Sequence, residues 1–180
     1  MIDAIILAAG QGTRMKSNKA KVLHQIGGKS LLQHVVDAIN PLSASINIVI
    51  GNDAELVKNS INNNSINWVI QKKQLGTGHA VQQVKSGIND KSTCIILYGD
   101  VPLISTNTIK LLIDQSQLTG FSILSVILDD PSGYGRIVRD KNKLIQAIIE
   151  HKDADGDKQK INEINTGIMA IQGSLLKKYI

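Results

Sequence analysis

The feature that most constrains this chain is the alternation of short apolar runs with stretches of helical periodicity. Five runs are rich in Ile, Val and Leu without strict alternation of apolar and polar residues; they span residues 4–9, 46–50, 67–70, 93–98 and 122–128. Strands of this kind are usually covered on both faces. The pattern therefore predicts an α/β fold, with a Rossmann-like, mostly parallel open sheet flanked by helices.

The intervening segments have the apolar spacing of helices that pack against a sheet. In residues 30–39 the apolar positions recur at helical intervals, which predicts Ser30 as the N-cap and Pro41 as a stop. Further helices are predicted at 57–61, 80–88 and 109–118.

The pattern changes after Leu128. The run Asp-Asp-Pro-Ser-Gly-Tyr-Gly at 129–135 is dense in turn-forming residues, and two short strands are predicted at 136–139 and 144–149. We expect a β excursion after residue 129 that folds back over the carboxyl edge of the sheet. A further strand is predicted at 167–171, and 175–180 has the pattern of a helix that is just beginning. We therefore expect a domain truncated at its C-terminus.

Composition narrows the classes of function. With 180 residues, 42% of them apolar, the chain can form one domain or slightly more. Its apolar runs are too short for a spanning helix, and the N-terminus has the pattern of a first strand rather than a secretory signal. The single cysteine excludes a disulfide scaffold and fits a cytoplasmic location. The +5 charge is scattered along the chain, and aromatic residues make up only 3%, too few for a surface that stacks single-stranded bases. A small anionic substrate explains the charge as well as nucleic acid would.

In an open parallel sheet, ligands bind beyond the carboxyl ends of the strands. The first such loop continues from Leu7-Ala8-Ala9 through Gly10, Gly12 and Thr13 to Arg14, with Lys21 close behind. Its glycines allow backbone N–H groups to approach phosphate oxygens, and its cations supply the charge that a nucleoside triphosphate requires. A plain strand–helix turn with two surface cations is the alternative, because Gly-x-Gly alone is a weak signal.

Two further turns carry candidate binding groups. Asp100 follows the apolar strand that ends at Tyr98-Gly99, and a carboxylate there suits Mg²⁺, which takes one or two protein carboxylates together with waters and substrate phosphates. Gln71 precedes Gly76 and Thr77 at the start of a predicted helix, and its amide can pair with the edge of a pyrimidine. The alternatives are a turn or capping role for Asp100 and a purely turn-forming role for Gly76.

The remaining reactive residue types give weak signals. His24, His34, His79 and His151 are isolated in sequence, with no partner at metal-ligand spacing. Cys94 lies inside an apolar strand and is interpreted as a core thiol rather than a nucleophile.

Taken together, these loops resemble those of the sugar nucleotidyltransferases, and more narrowly the uridyltransferase domains of the bacterial bifunctional enzymes that make UDP-N-acetylglucosamine. The motifs that carry the resemblance are Leu7–Met15, Lys21–His24, Gln71 with Gln74–Ala80, Tyr98–Leu103, Asp130–Arg136, Glu150–Ala154 and Glu163–Gly167. They follow in order over essentially the whole chain. The resemblance implies the nucleotide-diphospho-sugar transferase fold. It further implies one nucleotidyltransferase domain over 1–180, incomplete at its C-terminus and without the family's left-handed β-helix acetyltransferase domain.

The resemblance also implies a division of roles among the motif residues. The uridine would be held by Leu7, Ala8, Ala9, Gly10, Gln71, Gly76 and Thr77. Arg14 and Lys21 would contact the phosphates, Asp100 would bind Mg²⁺, and Arg14, Lys21 and Asp100 would form the catalytic set. Gly135, Glu150 and Asn165 would hold the N-acetylglucosamine part. The substrate-binding set would be completed by Gly12, Thr13, Tyr98 and Gly99.

The implied reaction transfers uridylyl from UTP to N-acetylglucosamine 1-phosphate and gives UDP-N-acetylglucosamine and pyrophosphate, for peptidoglycan and lipopolysaccharide precursor synthesis. Mg²⁺ is the implied cofactor, and neither acetyl transfer nor a membrane or nucleic-acid partner is expected; self-association is left open. One alternative is binding of the nucleotide sugar without turnover, because the family's second Mg²⁺ ligand, an Asn, lies beyond residue 180. The other is transfer to a different sugar 1-phosphate or from a different nucleotide.

Overall fold

The computed structural model describes residues 1–10, 17, 19–51, 53–61, 63 and 65–180, which fall into two compact units. The first unit spans residues 1–122 and 169–180, and the second spans 123–168. The strands of the described residues are β1 (Ile2–Ala8), β2 (Gln25–Ile26), β3 (Lys29–Ser30), β4 (Ser45–Ile50), β5 (Ile66–Ile70), β6 (Thr93–Tyr98), β7 (Phe121–Ile127), β8 (Arg136–Arg139), β9 (Ile145–Ile149) and β10 (Glu163–Gln172). The α-helices are α1 (Leu31–Ile39), α2 (Ala54–Asn59), α3 (Thr77–Gln82), α4 (Thr106–Thr119) and α5 (Gly173–Tyr179).

The sheet of the first unit has a parallel centre. β5, β4, β1 and β6 lie side by side in that order and run in the same direction. The consecutive residues Ala4, Ile5 and Ile6 of β1 are all 0% exposed. Because successive side chains point to opposite faces, both faces of β1 must be covered. The predicted mostly parallel α/β sheet is thus confirmed, and the carboxyl ends of its central strands meet at one edge.

Helix α1 shows how local sequence signals set the elements beside this sheet. The Ser30 hydroxyl accepts a hydrogen bond from the Gln33 backbone N–H at 3.1 Å, which satisfies one of the free donors of the first turn. The apolar stripe of this helix is buried, and Leu32 and Val35 within it are 0% exposed. The helix ends at Ile39, and a 3₁₀ turn containing Pro41 follows it. The predicted N-cap and helix end are both confirmed.

Several boundaries differ from the sequence prediction. Helix α4 begins three residues before the predicted start at 109, because its polar first turn is capped by Ser105, whose hydroxyl accepts from the Thr108 N–H at 3.1 Å. The pattern predicts a helix at 80–88, whereas α3 ends at Gln82 and only a 3₁₀ turn, Lys85–Gly87, follows. The β2–β3 hairpin is not predicted at all, because strands of two residues are too short to show a period.

The second unit contains the predicted β excursion. β8 and β9 are antiparallel, with Ile137 opposite Ile148, which confirms the two short strands expected after residue 135. The Arg139 guanidinium donates two hydrogen bonds to the Glu163 carboxylate, of 2.7 and 2.6 Å, and so connects β8 to β10. The expectation that this excursion folds back over the carboxyl edge of the sheet stays a prediction. No helix in the described part of the chain has the length and apolar character needed to cross a membrane.

Candidate functional site

A cavity of about 520 Å³ opens in the first unit where the central strands end. Its walls come from the end of β1 and the loop after it, from the 3₁₀ turn at Lys21–Leu23, from the segment between β5 and α3, and from the end of β6. The lining residues are Leu7, Ala8, Ala9, Gly10, Lys21, Val22, Gln71, Gln74, Gly76, Thr77, Ala80, Tyr98 and Asp100. This is the edge at which ligands bind in open parallel sheets.

Within the described part of the chain, an ion pair in the cavity joins side chains from two different elements. Lys21 Nζ lies 2.6 Å from Asp100 Oδ2, and the two side chains are 37% and 27% exposed. Lys21 is held by its neighbours Val22 and Leu23, which are buried and anchor the 3₁₀ turn. Asp100 follows the buried strand β6. The pair is accessible from the cavity, so its ammonium can meet a phosphate while its carboxylate meets a cation.

The end of β6 is packed tightly against β1. The Gly99 N–H donates to the Leu7 carbonyl at 2.9 Å, which extends the parallel ladder beyond Tyr98. A Cβ built at Gly99 would lie 3.0 Å from Leu32 and 3.2 Å from Val22. Gly99 therefore lies behind the cavity wall and allows the close packing that places Asp100, rather than lining the cavity itself.

Gln71 forms the polar part of the wall beside β5. Its backbone N–H donates to the Ile50 carbonyl at 2.8 Å, and the residue is only 3% exposed. Its amide Nε2 donates to the Gly76 carbonyl at 3.2 Å and lies 2.8 Å from His79 Nδ1. Gly76 has a φ of 105°, a conformation that glycine adopts readily, and this lets the chain turn back toward Gln71 before α3 begins.

A contact that the sequence analysis missed joins two of these walls. A Cβ built at Gly51, directly after β4, would lie 2.7 Å from Gln74 Nε2 and 2.9 Å from the Ala9 carbonyl oxygen. Only glycine therefore lets the turn after β4 pass between the loop after β1 and the segment after β5. The sequence does show that Gly51 follows an apolar strand. Spacing alone, however, does not indicate that Gln74 and Ala9 approach it so closely.

Ten of the predicted site residues line this one cavity: Leu7, Ala8, Ala9, Gly10, Lys21, Gln71, Gly76, Thr77, Tyr98 and Asp100. Gly12, Thr13 and Arg14 lie outside the described residues. The lining residues absent from the prediction are Val22, Gln74 and Ala80. Val22 and Ala80 are apolar wall residues without a chemical signature, whereas Gln74 belongs to the same Gln-rich run as Gln71 and could have been found there.

The three residues predicted to hold the sugar lie together in the second unit. The Asn165 N–H donates to the Gly135 carbonyl at 2.8 Å, and a Cβ built at Gly135 would lie 3.3 Å from Glu150 Oε1. The Asn165 side-chain oxygen accepts from the Gly167 N–H at 2.7 Å, which orients its amide. The cluster therefore presents a glycine backbone, a carboxylate and an amide at one place.

Two charged residues of the second unit, Arg136 and Glu163, are close in sequence to Gly135 and Asn165. Arg136 follows Gly135, is 1% exposed, and donates to the Tyr134 carbonyl, while its Nε has no partner among the described residues. Hydrogen bonding to Arg139 holds the pKa of the Glu163 carboxyl below its usual range.

In the first unit, burial raises the pKa of the Cys94 thiol to about 11, as expected for a core residue.

No group of three or more His, Cys, Asp and Glu side chains that could hold a metal occurs within the described residues. The donor set of the cavity nevertheless fits Mg²⁺ bound together with a substrate. Mg²⁺ commonly takes one or two carboxylates and completes its shell with waters and phosphate oxygens. Among the described lining residues, Asp100 supplies the carboxylate.

Comparison with known proteins defines the family. Residues 4–163 match the model of the MobA-like NTP transferase domain. The chain belongs to this nucleotidyltransferase family. The match covers the cavity walls from β1 to β6 and most of the second unit, so the family assignment rests on nearly the whole chain rather than on one motif.

Three curated relatives are proteins named bifunctional protein GlmU. The chain is 55% identical to that of Vesicomyosocius okutanii over 179 residues, 52% identical to that of Ruthia magnifica and 47% identical to that of Marinobacter nauticus. Each match covers 99% of this chain but only 39–40% of the relative, in its N-terminal part. The chain thus spans about two fifths of the length of these relatives.

Solved structures give the same fold. HddC from Yersinia pseudotuberculosis, solved with GMP-PN, superposes with a TM-score of 0.74 at 25% identity and covers 99% of this chain and 80% of its own. A provisionally assigned glucose-1-phosphate thymidylyltransferase from Bacillus anthracis, solved with sucrose, has a TM-score of 0.79 at 20% identity. It covers 98% of this chain and 73% of its own, and at this identity it supports the fold alone.

Proposed function

We propose that this chain transfers uridylyl from UTP to N-acetylglucosamine 1-phosphate, releasing UDP-N-acetylglucosamine and pyrophosphate. The observation that carries the proposal is the cavity itself, where the Lys21–Asp100 ion pair and the buried Gln71 amide line one space at the carboxyl edge of the sheet. This combination suits a molecule with a base at one end and an anionic phosphate chain at the other. Similarity to the GlmU relatives supports the choice of substrates.

The roles of the cavity residues follow from their chemistry. Gln71, Gly76 and Thr77, with the loop Leu7–Gly10, would hold the uridine part of the nucleotide. Lys21 would neutralise phosphate charge, and Arg14, which lies outside the described residues, is proposed to do the same. Asp100 would hold Mg²⁺, which supplies positive charge to the phosphate oxygens when bound.

The proposed chemistry is one in-line displacement. A phosphate oxygen of the sugar phosphate forms a bond to the α-phosphorus of UTP, while the bond from that phosphorus to the bridging oxygen of the β-phosphate breaks and pyrophosphate leaves. The nucleophile is already an anion, so no general base is needed. The contribution of the protein is positioning and stabilisation of charge, the usual sources of catalysis in phosphoryl transfer.

For the acceptor, we propose the cluster of Gly135, Glu150 and Asn165 as the binding site of the N-acetylglucosamine part. A backbone N–H at a glycine can meet an acetamido carbonyl without interference from a side chain. The Glu150 carboxylate and the Asn165 amide can pair with sugar hydroxyls. A ligand that lacked one of these hydroxyls would leave a polar group unpaired, which is the basis of selectivity.

This chain would then be the nucleotidyltransferase domain of a GlmU-like protein, acting in the cytoplasm on precursors of peptidoglycan and lipopolysaccharide. We expect no acetyl transfer from these 180 residues.

The test is pyrophosphate release in the presence of Mg²⁺, measured over a grid of UTP, CTP, dTTP and GTP against the 1-phosphates of N-acetylglucosamine, glucosamine and glucose. The proposal expects the highest kcat/KM for UTP with N-acetylglucosamine 1-phosphate. A higher value for another pair would reassign the substrates. Calorimetric binding of UDP-N-acetylglucosamine without turnover of any pair would instead make the chain a binding module.

A further inference from the structure

The side-chain amide of Gln71 lines the cavity, and its orientation determines which hydrogen-bonding groups of a ligand it can pair with. An amide presents an acceptor, Oε1, on one side and two donors, Nε2–H, on the other. If it is free to turn, it can pair with either type of base edge. Selectivity for one pyrimidine therefore requires that something hold the amide in one orientation.

Two protein acceptors hold the nitrogen side of this amide. Gln71 Nε2 is 3.2 Å from the Gly76 carbonyl oxygen and 2.8 Å from His79 Nδ1. The carbonyl can only accept, so the amide nitrogen must face it. With both hydrogens directed at these two acceptors, Oε1 is the side of the Gln71 amide that can accept from a ligand.

His79 completes this arrangement only in one tautomer. The 2.8 Å contact with Gln71 requires that Nδ1 carry the lone pair, so the proton of the neutral ring lies on Nε2. On that side the ring faces Gln83, whose Nε2 lies 3.2 Å from His79 Nε2 and also donates to the His79 carbonyl at 3.0 Å. A ring protonated at Nε2 donates there, so the half-buried Gln83 amide turns its Oε1 to the ring and gives up its own donation to the His79 carbonyl.

We propose that His79 is a positioning residue that fixes the Gln71 amide with Oε1 toward the N3 position of the bound base, and thereby selects uracil over cytosine. Uracil has an N3–H that donates to Oε1, whereas N3 of cytosine is an acceptor and meets Oε1 with its own lone pair. This inference rests on the proposed function, because it deepens the assignment of the same cavity. His79 itself does not touch the substrate in this account; it acts through Gln71.

The test uses two variants of similar size that differ in the acceptor. In His79→Asn the side-chain oxygen can take the place of Nδ1, and in His79→Leu no acceptor is left. The Kd values of UTP and of CTP are measured by calorimetry with Mg²⁺ present. The preference for UTP is expected to fall at least about tenfold in His79→Leu, the loss of roughly one hydrogen bond, and to stay close to the parent value in His79→Asn. Gln83→Leu, which changes the other side of the same ring, serves as the control with an unchanged preference.

The outcomes separate this inference from the proposed function. If the parent chain prefers UTP and His79→Leu keeps that preference, or if both His79 variants lose it equally, the positioning role is wrong while the proposed function stands. If the parent binds no nucleotide, the proposed function fails and the inference falls with it. A ligand-free measurement adds a second criterion: the ¹⁵N chemical shifts of the His79 ring, assigned by their loss in His79→Asn, must show Nδ1 unprotonated. A proton on Nδ1 would overturn the inference.

Discussion

Replacing Lys21 by Met tests whether the ion pair of the cavity serves the reaction rather than the fold. The substitution keeps most of the side-chain length and removes the ammonium that lies 2.6 Å from Asp100 Oδ2. Both partners are accessible to solvent, 37% and 27% exposed, so water can hydrate the carboxylate that is left behind. Pairs of this exposure contribute about 0–1 kcal/mol to stability, and we expect the free energy of unfolding to fall by no more than that.

The expected effect on turnover is larger. If Lys21 stabilises charge that develops on the transferring phosphate, its removal should raise the barrier by about 3 kcal/mol, a loss of about 10²-fold in kcat. The assay is Mg²⁺-dependent pyrophosphate release at saturating UTP and N-acetylglucosamine 1-phosphate, paired with urea unfolding of the same preparation.

A matched control is available in the first unit. Lys177 Nζ lies 2.8 Å from Asp90 Oδ1, with Lys177 31% exposed, and neither residue lines the cavity. Lys177→Met should therefore show a similar small change in unfolding free energy with parental turnover. The reasoning is refuted if Lys21→Met retains kcat within about threefold of the parent, less than 1 kcal/mol of barrier, or if both variants lose turnover alike.

Three further predictions concern the stability and packing of the fold. Gly51→Ala places a Cβ 2.9 Å from the Ala9 carbonyl oxygen, so unfolding in urea should show a loss of about 1–3 kcal/mol from overpacking; a variant as stable as the parent would show that the loop yields freely. Hydrogen bonds to Arg139 lower the pKa of Glu163 in the folded chain. The ionised Glu163 therefore stabilises the folded state above its unfolded pKa of roughly 4.3, and this stabilisation is lost as the pH falls through the lower pKa of the folded state. Glu163→Gln should therefore lose less stability than the parent between about pH 5 and 3, and parallel curves would contradict this. Cys94 is fully buried and its thiol pKa is raised to about 11, so a thiol reagent at pH 8 should label it only after addition of denaturant, and rapid labelling of the native protein would show that β6 opens.

The sequence was sufficient for the sheet because its strands are individually distinctive. Apart from Asp3 and Thr93, β1 and β6 are apolar runs, and their burial on both faces follows from that composition. Once the strands are parallel, their carboxyl ends share an edge, so residues as distant in the chain as Gln71 and Asp100 are predicted to be neighbours. The structure places both on the wall of one cavity.

The contacts that shape the cavity could not be predicted in the same way. The approach of Gln74 and Ala9 to Gly51 leaves no room for a Cβ, which would lie within 3 Å of both, and no periodicity in the sequence indicates such an approach. The contact between Gln71 and His79 depends on the positive φ of Gly76, which turns the chain back between them. Likewise, spacing gave no reason to connect Gly135 with Glu150; the expectation came from the resemblance alone.

The most direct test of the central claim is a titration of the ¹⁵N-labelled chain with UTP and Mg²⁺, followed by backbone amide resonances. Binding in the cavity should shift the amides of Leu7–Gly10, Gln71, Gly76, Thr77 and Asp100 together, with one shared dissociation constant. Saturable shifts that leave these residues unchanged and appear at another surface, or no shifts at all, would contradict the assignment of this edge of the sheet as a nucleotide site.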